Sequence, residues 1–223
     1  FGIQLLNYLL MPVPMLFAIF LSEIKSTKFQ KAVQTLTTLP HFISWVIMFS
    51  LATSLFGNSG VVNSVLARFG AEGINILTTN SHVWLIQALL GLWKSLGWSA
   101  IIYFAAITGL DQEVYEAAMV DGASRWQKIR YITIPLLIPT FFVLLIMGIG
   151  NFLNSGIDQF LAFGNAMNKE YIEVLDLYVY NLGIGNGQIS FSVAVGMMKS
   201  LVAVVLFACA NFASKKIRGT SVF

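Results

Sequence analysis

Apolar residues run through this chain in long blocks separated by short polar segments. Five blocks reach or approach the roughly 20 residues that a helix needs to cross a bilayer. Leu5–Leu21 carries no charge, and Pro12 and Pro14 predict a bend within it. A second span is expected within Ala32–Phe56, part of an uncharged run from Ala32 to Ala67. Val83–Leu110 is interrupted only by Lys94, Ile132–Leu153 contains Pro135 and Pro139, and Phe191–Ser214 is interrupted only by Lys199. Prolines are tolerated in such spans because neighbouring helices can satisfy the carbonyls they free. The predicted fold class is all-α: a polytopic membrane helix bundle with five spans, forming a single transmembrane domain over 1–223. The longest stretches outside the spans are Asp111–Tyr131 and Asn154–Ser190.

Composition sharpens this picture by exclusion. Of 223 residues, 57% are hydrophobic and only 10% charged, against about 25% charged in an ordinary soluble domain. The mean hydropathy is +0.77. A water-facing globule and a disordered chain are both excluded. The net charge of +3 is too small and too scattered for nucleic-acid binding. A single cysteine, Cys209, excludes an intrachain disulfide framework and reads as a small buried apolar residue. His41 and His82 have no Cys or carboxylate at ligand spacing, so no metal site is predicted.

Charge also orients the spans. Lys25, Lys28 and Lys31 follow the first, Arg125, Lys128 and Arg130 follow the third, and Lys215, Lys216 and Arg218 follow the fifth. The alternate loops hold only Arg68 and Lys169. The positive-inside rule then places the first set, and the C-terminus, in the cytoplasm. With five spans, Phe1 falls outside. Phe1–Leu21 has neither a basic leader nor a small-residue cleavage site. An upstream helix, and six or more spans in the full chain, are expected.

The loop 111–135 holds the densest local signals. Asp111 can cap a helix, and Glu113 suits the positive end of its dipole. Val114, Ala117 and Ala118 share one face. Asp121-Gly122 ends that helix, because glycine takes the left-handed position after a C-cap without strain. Ser124-x-x-Gln127 is a capping box opening a second short helix, with Trp126 and Ile129 on its apolar side. Geometry alone leaves two readings: a hairpin lying on lipid headgroups, or a docking knob whose small residues let another backbone approach.

The residues themselves carry a resemblance. Glu116-Ala117-Ala118-x-x-Asp121-Gly122-Ala123, followed by Ile132-x-Ile134-Pro135, resembles the EAA signature of ABC importer permeases, with Ile134 where the family usually has Leu. Leu39-Pro40-His41-Phe42-Ile43-Ser44-Trp45 and Asp176-x-Tyr178-x-Tyr180-x-x-Gly183 resemble the LplB-type branch, which handles oligosaccharides or polysaccharide fragments. The resemblance implies an ABC importer permease fold in the bacterial plasma membrane. It makes 111–135 a cytoplasmic coupling-helix loop seated in an ATPase subunit. Glu116, Ala117, Ala118, Asp121, Gly122, Ala123 and Trp126 would do the coupling. It implies a second permease subunit, as a heterodimer, two ATPase subunits and an extracytoplasmic solute-binding protein that meets the loop 154–190. This chain has no Gly-rich Lys-Ser/Thr phosphate loop. No cofactor is expected in it, ATP and Mg belonging to the ATPase partners, and it is not expected to be an enzyme. Gly183-x-Gly185-x-Gly187 reads as a flexible turn.

Candidates for the substrate path follow from charge and aromaticity. Lys94 and Lys199 lie roughly 12–16 Å into their spans at 1.5 Å per residue. They either snorkel to the headgroups or line the path and attract hydroxyls, carboxylates or sulfates of a sugar. Trp45, Trp84, Trp93 and Trp98 either anchor at the interface or stack on sugar rings. Trp84, which begins its span, reads as an anchor, and Trp93 and Trp98 as the better path candidates. Tyr171–Leu182 is expected as an amphipathic helix with Ile172, Leu175, Tyr178 and Val179 on one face. The alternatives are a permease for another solute class, an ion-coupled secondary transporter, which the absence of Asp and Glu from the spans disfavours, and a scaffold without transport.

Overall fold

The structure, a computed structural model, describes residues 2–74, 76, 77 and 82–218, without the side chains of 217 and 218. Phe1 and the side chain of Arg218, both used above to orient the chain, lie outside the described residues. Among the described residues the chain is all helical, with thirteen α-helices, two π turns and no strand. Five helical stretches are long and apolar enough to span a membrane: Gly2–Ser22, Trp45–Arg68, Val83–Thr108, Arg125–Gly150 and Ile189–Lys216.

The first stretch breaks where proline dictates. α1 (Gly2–Leu10) ends at Met11, and α2 (Pro12–Ser22) starts with Pro12 at its first position, where the missing amide costs nothing. The second stretch departs from expectation. The span expected within Ala32–Phe56 is broken after Phe42, and the uncharged run Ala32–Ala67 falls in three helices: α3 (Thr27–Phe42), α4 (Trp45–Phe56) and α5 (Val61–Arg68). Pro40 withdraws an amide near the end of α3, and Ser44 takes an extended conformation and caps α4 by accepting from the Ile47 amide at 3.3 Å. α3, rich in Thr, Gln and Lys, is too polar to count, so the apolar window shifts to Trp45–Arg68.

α6 (Val83–Thr108) matches the third block and rises about 39 Å. α7 (Gln112–Val120) and α8 (Arg125–Lys128) follow. A π turn, Ile129–Thr133, leads into α9 (Ile134–Gly150), so this span starts earlier than Ile132. Then come α10 (Asp158–Phe163), α11 (Lys169–Ile172), α12 (Leu175–Tyr180) with a second π turn (Asn181–Gly185), and α13 (Ile189–Arg218).

The chain forms two compact units. One comprises residues up to Leu6, Phe42–Leu90 and Asn151–Val204. Its core gathers Ile3, Ala52, Val83, Phe160, Phe163, Ile172, Val174 and Leu177, with Trp45 and Leu90 against it. The buried Gln159 amide donates to the Gln87 backbone and side-chain oxygens at 2.9 and 2.8 Å, as buried amides must. The other unit comprises Asn7–His41, Gly91–Gly150 and the chain from Val205 on. Its core is Met15, Ala18, Ile19, Ala100, Tyr103, Ile129 and Leu137.

Three local expectations need correction. Tyr171–Leu182 is not one amphipathic helix. Glu173 and Val174 are extended and split it, and the buried side chains are Ile172, Val174, Leu177 and Leu182, while Tyr178 is exposed. The glycines 183–187 are not simply a flexible turn, because Asn181–Gly185 continues α12 as a π turn. A Cβ on Gly183 would come within 2.8 Å of Ser192 Oγ. Cys209 is exposed, not buried, on a helix whose apolar window buries none of its residues within the chain.

Candidate functional site

The elbow between α6 and α9 is built almost entirely from local chemistry. Asp111 Oδ1 accepts from the Glu113 amide at 2.9 Å, satisfying one of the free donors at the start of α7. At the other end, the Ala123 amide reaches the Ala118 carbonyl at 2.9 Å and the Gly122 amide reaches the Met119 carbonyl at 3.1 Å. That pair of bonds is a Schellman turn. It needs a residue at positive φ, and Gly122 sits at +75° with open space around its Cα. Ser124 and Gln127 then form a reciprocal capping box.

Between these caps α7 has no buried side chain. Glu116, Ala117, Asp121 and Gly122 are exposed, and Ala118 and Ala123 are half-buried. Trp126, expected on the apolar side of α8 with Ile129, is 60% exposed, while Ile129 is buried in the unit's core. Val114, Met119, Val120 and Trp126 thus add apolar surface to the small-residue ridge. The seven residues singled out from the motif lie together on this hairpin. Sequence reasoning missed Tyr115, whose hydroxyl lies 2.9 Å from Thr133 Oγ1 in the π turn. Its partner is 18 positions away, so no local spacing signals it.

The path candidates divide into two constellations, one in each unit. In the unit containing α3, Lys94 Nζ donates to the carbonyls of Pro40 and His41 at 3.1 and 2.8 Å. One turn along α6, Trp98 stacks on the His41 ring with centroids 4.5 Å apart and planes 2° apart. Gly97 permits the approach: a Cβ there would run into the backbone of Thr37 and Thr38. Trp93 lies beside Lys94 and is 45% exposed. His41 therefore joins this group as a carbonyl and a stacking surface, a role its sequence context did not signal.

In the other unit, Lys199 forms an ion pair with Asp176, both side chains less than one-fifth exposed. The second oxygen of Asp176 accepts from the Ser155 and Gly156 amides at 2.8 and 3.1 Å. Asp176 thereby ties α12 to α13 and to the segment after α9. Trp45 packs edge-on against Phe163, and the Trp84 indole N–H donates to the Tyr171 carbonyl at 2.8 Å. Trp84 thus has a definite partner in the loop 154–190.

Residues 11–219 match the family described as "Binding-protein-dependent transport system inner membrane component". The polygalacturonan/rhamnogalacturonan transport system permease protein YteP of Bacillus subtilis is 42% identical over 92% of this chain and 64% of its own length. Protein LplB of the same organism is 37% identical over 92% of this chain and 65% of its own. The chain therefore spans about two-thirds of the length of these relatives, slightly less in each case. A permease chain from the crystal structure of a bacterial alginate ABC transporter, in complex with an alginate pentasaccharide-bound periplasmic protein, superposes with a TM-score of 0.90. It is 34% identical, with 99% of this chain and 78% of that chain covered. The helical architecture with its five apolar stretches accords with that superposition, and the chain belongs to the family of binding-protein-dependent transport system inner membrane components.

Proposed function

We propose that this chain is the permease subunit of a binding-protein-dependent ABC importer for oligosaccharides or polysaccharide fragments. The single observation that carries the reading is the elbow. A pre-capped helix pair with no buried face on α7 is built to be held by something other than its own chain. In the proposed importer that something is an ATPase subunit, and the family to which the chain belongs supports this reading. In this reading the elbow and the C-terminus are cytoplasmic, as the basic residues indicate, and 154–190 faces the solute-binding protein. The assembly contains a second permease subunit, as a heterodimer, and two ATPase subunits that hold ATP and Mg. This chain supplies no catalytic group.

Closure of the ATPase dimer would displace Glu116, Ala117, Ala118, Asp121, Gly122, Ala123 and Trp126, and the spans would follow as a rigid-body rotation. Lys94, Trp93, Trp98 and Trp45 are the proposed contributors to the path, whereas Lys199, the remaining candidate from the sequence, is taken up by its ion pair with Asp176. The sugar assignment is supported by the named cargoes of the relatives, polygalacturonan or rhamnogalacturonan for one and alginate for another. The test is Gly122→Trp in the complex reconstituted with its ATPase and binding-protein partners. Gly122 lies outside the apolar stretches, so membrane insertion should be unharmed, while its positive φ strains the turn under any side chain, and ATP-driven uptake of labelled oligosaccharide should be abolished. Normal uptake by that variant would overturn the coupling assignment.

A further inference from the structure

α7 is held in an unusual way. Its nine residues bury no side chain, so packing does not fix its position, and a helix this short is not stable by itself. The chain connects it to α9 through Gly122, where the turn is held by two backbone bonds and open space surrounds the Cα, so bending is expected there. A push on α7 delivered along the chain alone would be absorbed by hinging there. There is a second connection. The half-buried Tyr115 puts its hydroxyl 2.9 Å from Thr133 Oγ1. Thr133 is 4% exposed, at the end of a π turn whose first residue, Ile129, is buried in the core.

We infer that Tyr115 and Thr133 form the strut that passes displacement of α7 to α9. The hydrogen bond closes the hairpin into a triangle of α7, α8 with its π turn, and the bond itself. A closed triangle cannot hinge at Gly122 without breaking its third side. The base of the triangle is anchored: Thr133 and Ile129 are the two buried residues of the π turn, and the Ile134 amide completes that turn by bonding to the Ile129 carbonyl. π turns of this kind frequently mark functional positions in helices. Tyr115 and Thr133 are thus positioning residues. They need touch neither nucleotide nor cargo. This rests on the coupling reading of the elbow.

The experiment uses the complete transporter in proteoliposomes, with uptake and ATP hydrolysis measured on the same preparation. Tyr115→Phe and Thr133→Val each remove the bond with little change of shape. Each should lower cargo moved per ATP by about fivefold, the factor carried by a typical hydrogen bond, while the ATPase subunits still co-purify. Thr133→Ser keeps the hydroxyl and should stay within about twofold of wild type. The double variant should be no worse than Thr133→Val alone, because Tyr115→Phe removes only a contact that Thr133→Val already removes, together with the Thr133 hydroxyl's 3.5 Å bond to the Lys128 carbonyl. A wild-type ratio of cargo to ATP in Tyr115→Phe and Thr133→Val overturns the strut, as does a lowered complex yield with a normal ratio. Gly122→Trp in parallel separates the two failures. If it uncouples while Tyr115→Phe does not, only the strut is wrong; if it transports normally, the coupling reading itself is wrong.

Discussion

Lys94 and Lys199 each interrupt an apolar span, and the fold satisfies them by different means. The Lys94 ammonium donates to two carbonyls near the C-terminus of α3, Pro40 and His41, where the helix dipole is negative. Lys199 meets the carboxylate of Asp176, which also accepts from two backbone amides. Carbonyl dipoles solvate a cation without cancelling its charge, whereas a carboxylate cancels it. A charge in a membrane segment is costly unless satisfied, and both devices meet that cost. They differ in what they bind together. Asp176 ties three segments, so the Lys199 constellation is a tertiary anchor. The Lys94 group joins α6 to α3, with Trp93 and Trp98 half-exposed beside it.

The largest effect should come from Asp176→Ala. It strips Lys199 of its counter-charge and leaves the Ser155 and Gly156 amides without their acceptor. Removing one partner of a buried pair costs about 3–5 kcal/mol, and the residual exposure here brings the expectation to about 2–3 kcal/mol. A melt of the purified complex in nanodiscs should fall by roughly 4–10 °C. Coupling Asp176→Leu to Lys199→Met should recover much of that loss, since an apolar pair asks for no partner. An unchanged melting temperature in Asp176→Ala would show that the ion pair anchors nothing.

Next in size is Gly97→Ala. The new Cβ meets the Thr37–Thr38 backbone, which has no rotamer by which to move aside. Overpacking of this kind costs about 1–3 kcal/mol. It should part α6 from α3, weaken the Lys94 contacts and shift Trp98 fluorescence as its stack on His41 opens. Gly196 on α13 is the control, because a Cβ there meets nothing within 4 Å; Gly196→Ala should be neutral or slightly stabilising through helix propensity. Equal effects at the two glycines would refute the close approach as the cause.

The legibility of these features in the sequence follows from how far apart their parts lie. Asp111, Gly122, Ser124 and Gln127 specify the elbow through partners within five residues, so its caps and turn could be read directly. The spans were legible from apolar length, and the bend at Pro12 from a single residue. The interruption at Ser44 was hidden because serine in an apolar run reads as an ordinary span residue, and only its extended conformation makes it a cap. The split at Glu173–Val174 was hidden because period alone does not register an extended pair. Lys199 was legible as an oddity, but its partner Asp176, 23 positions earlier, belongs to tertiary structure, as does Thr133 for Tyr115. The exposure of Cys209 depends on what surrounds α13, which its own residues do not encode.

The smallest effect, and the sharpest on the substrate path, concerns the two tryptophans beside Lys94. Trp98 gains from its stack on His41, a contact worth about 0.5–1.5 kcal/mol at most, so Trp98→Ala should lower the melt by only a few degrees. Trp93 is nearly half exposed, and Trp93→Ala should leave stability within about 0.5 kcal/mol of wild type. If these rings stack on cargo, both variants should raise the oligosaccharide concentration for half-maximal uptake about fivefold while ATP hydrolysis without cargo is unchanged. Lys94→Met should act in the same direction and more strongly on a charged glycan than on a neutral one, since it removes the cation along with the bonds to the Pro40 and His41 carbonyls. The Asp176→Leu, Lys199→Met pair should show no such preference, because its charges already cancel. If Trp93→Ala and Trp98→Ala both leave uptake unaltered, the rings are interfacial anchors. The Lys94 group would then be, like the Lys199 group, a device for joining helices.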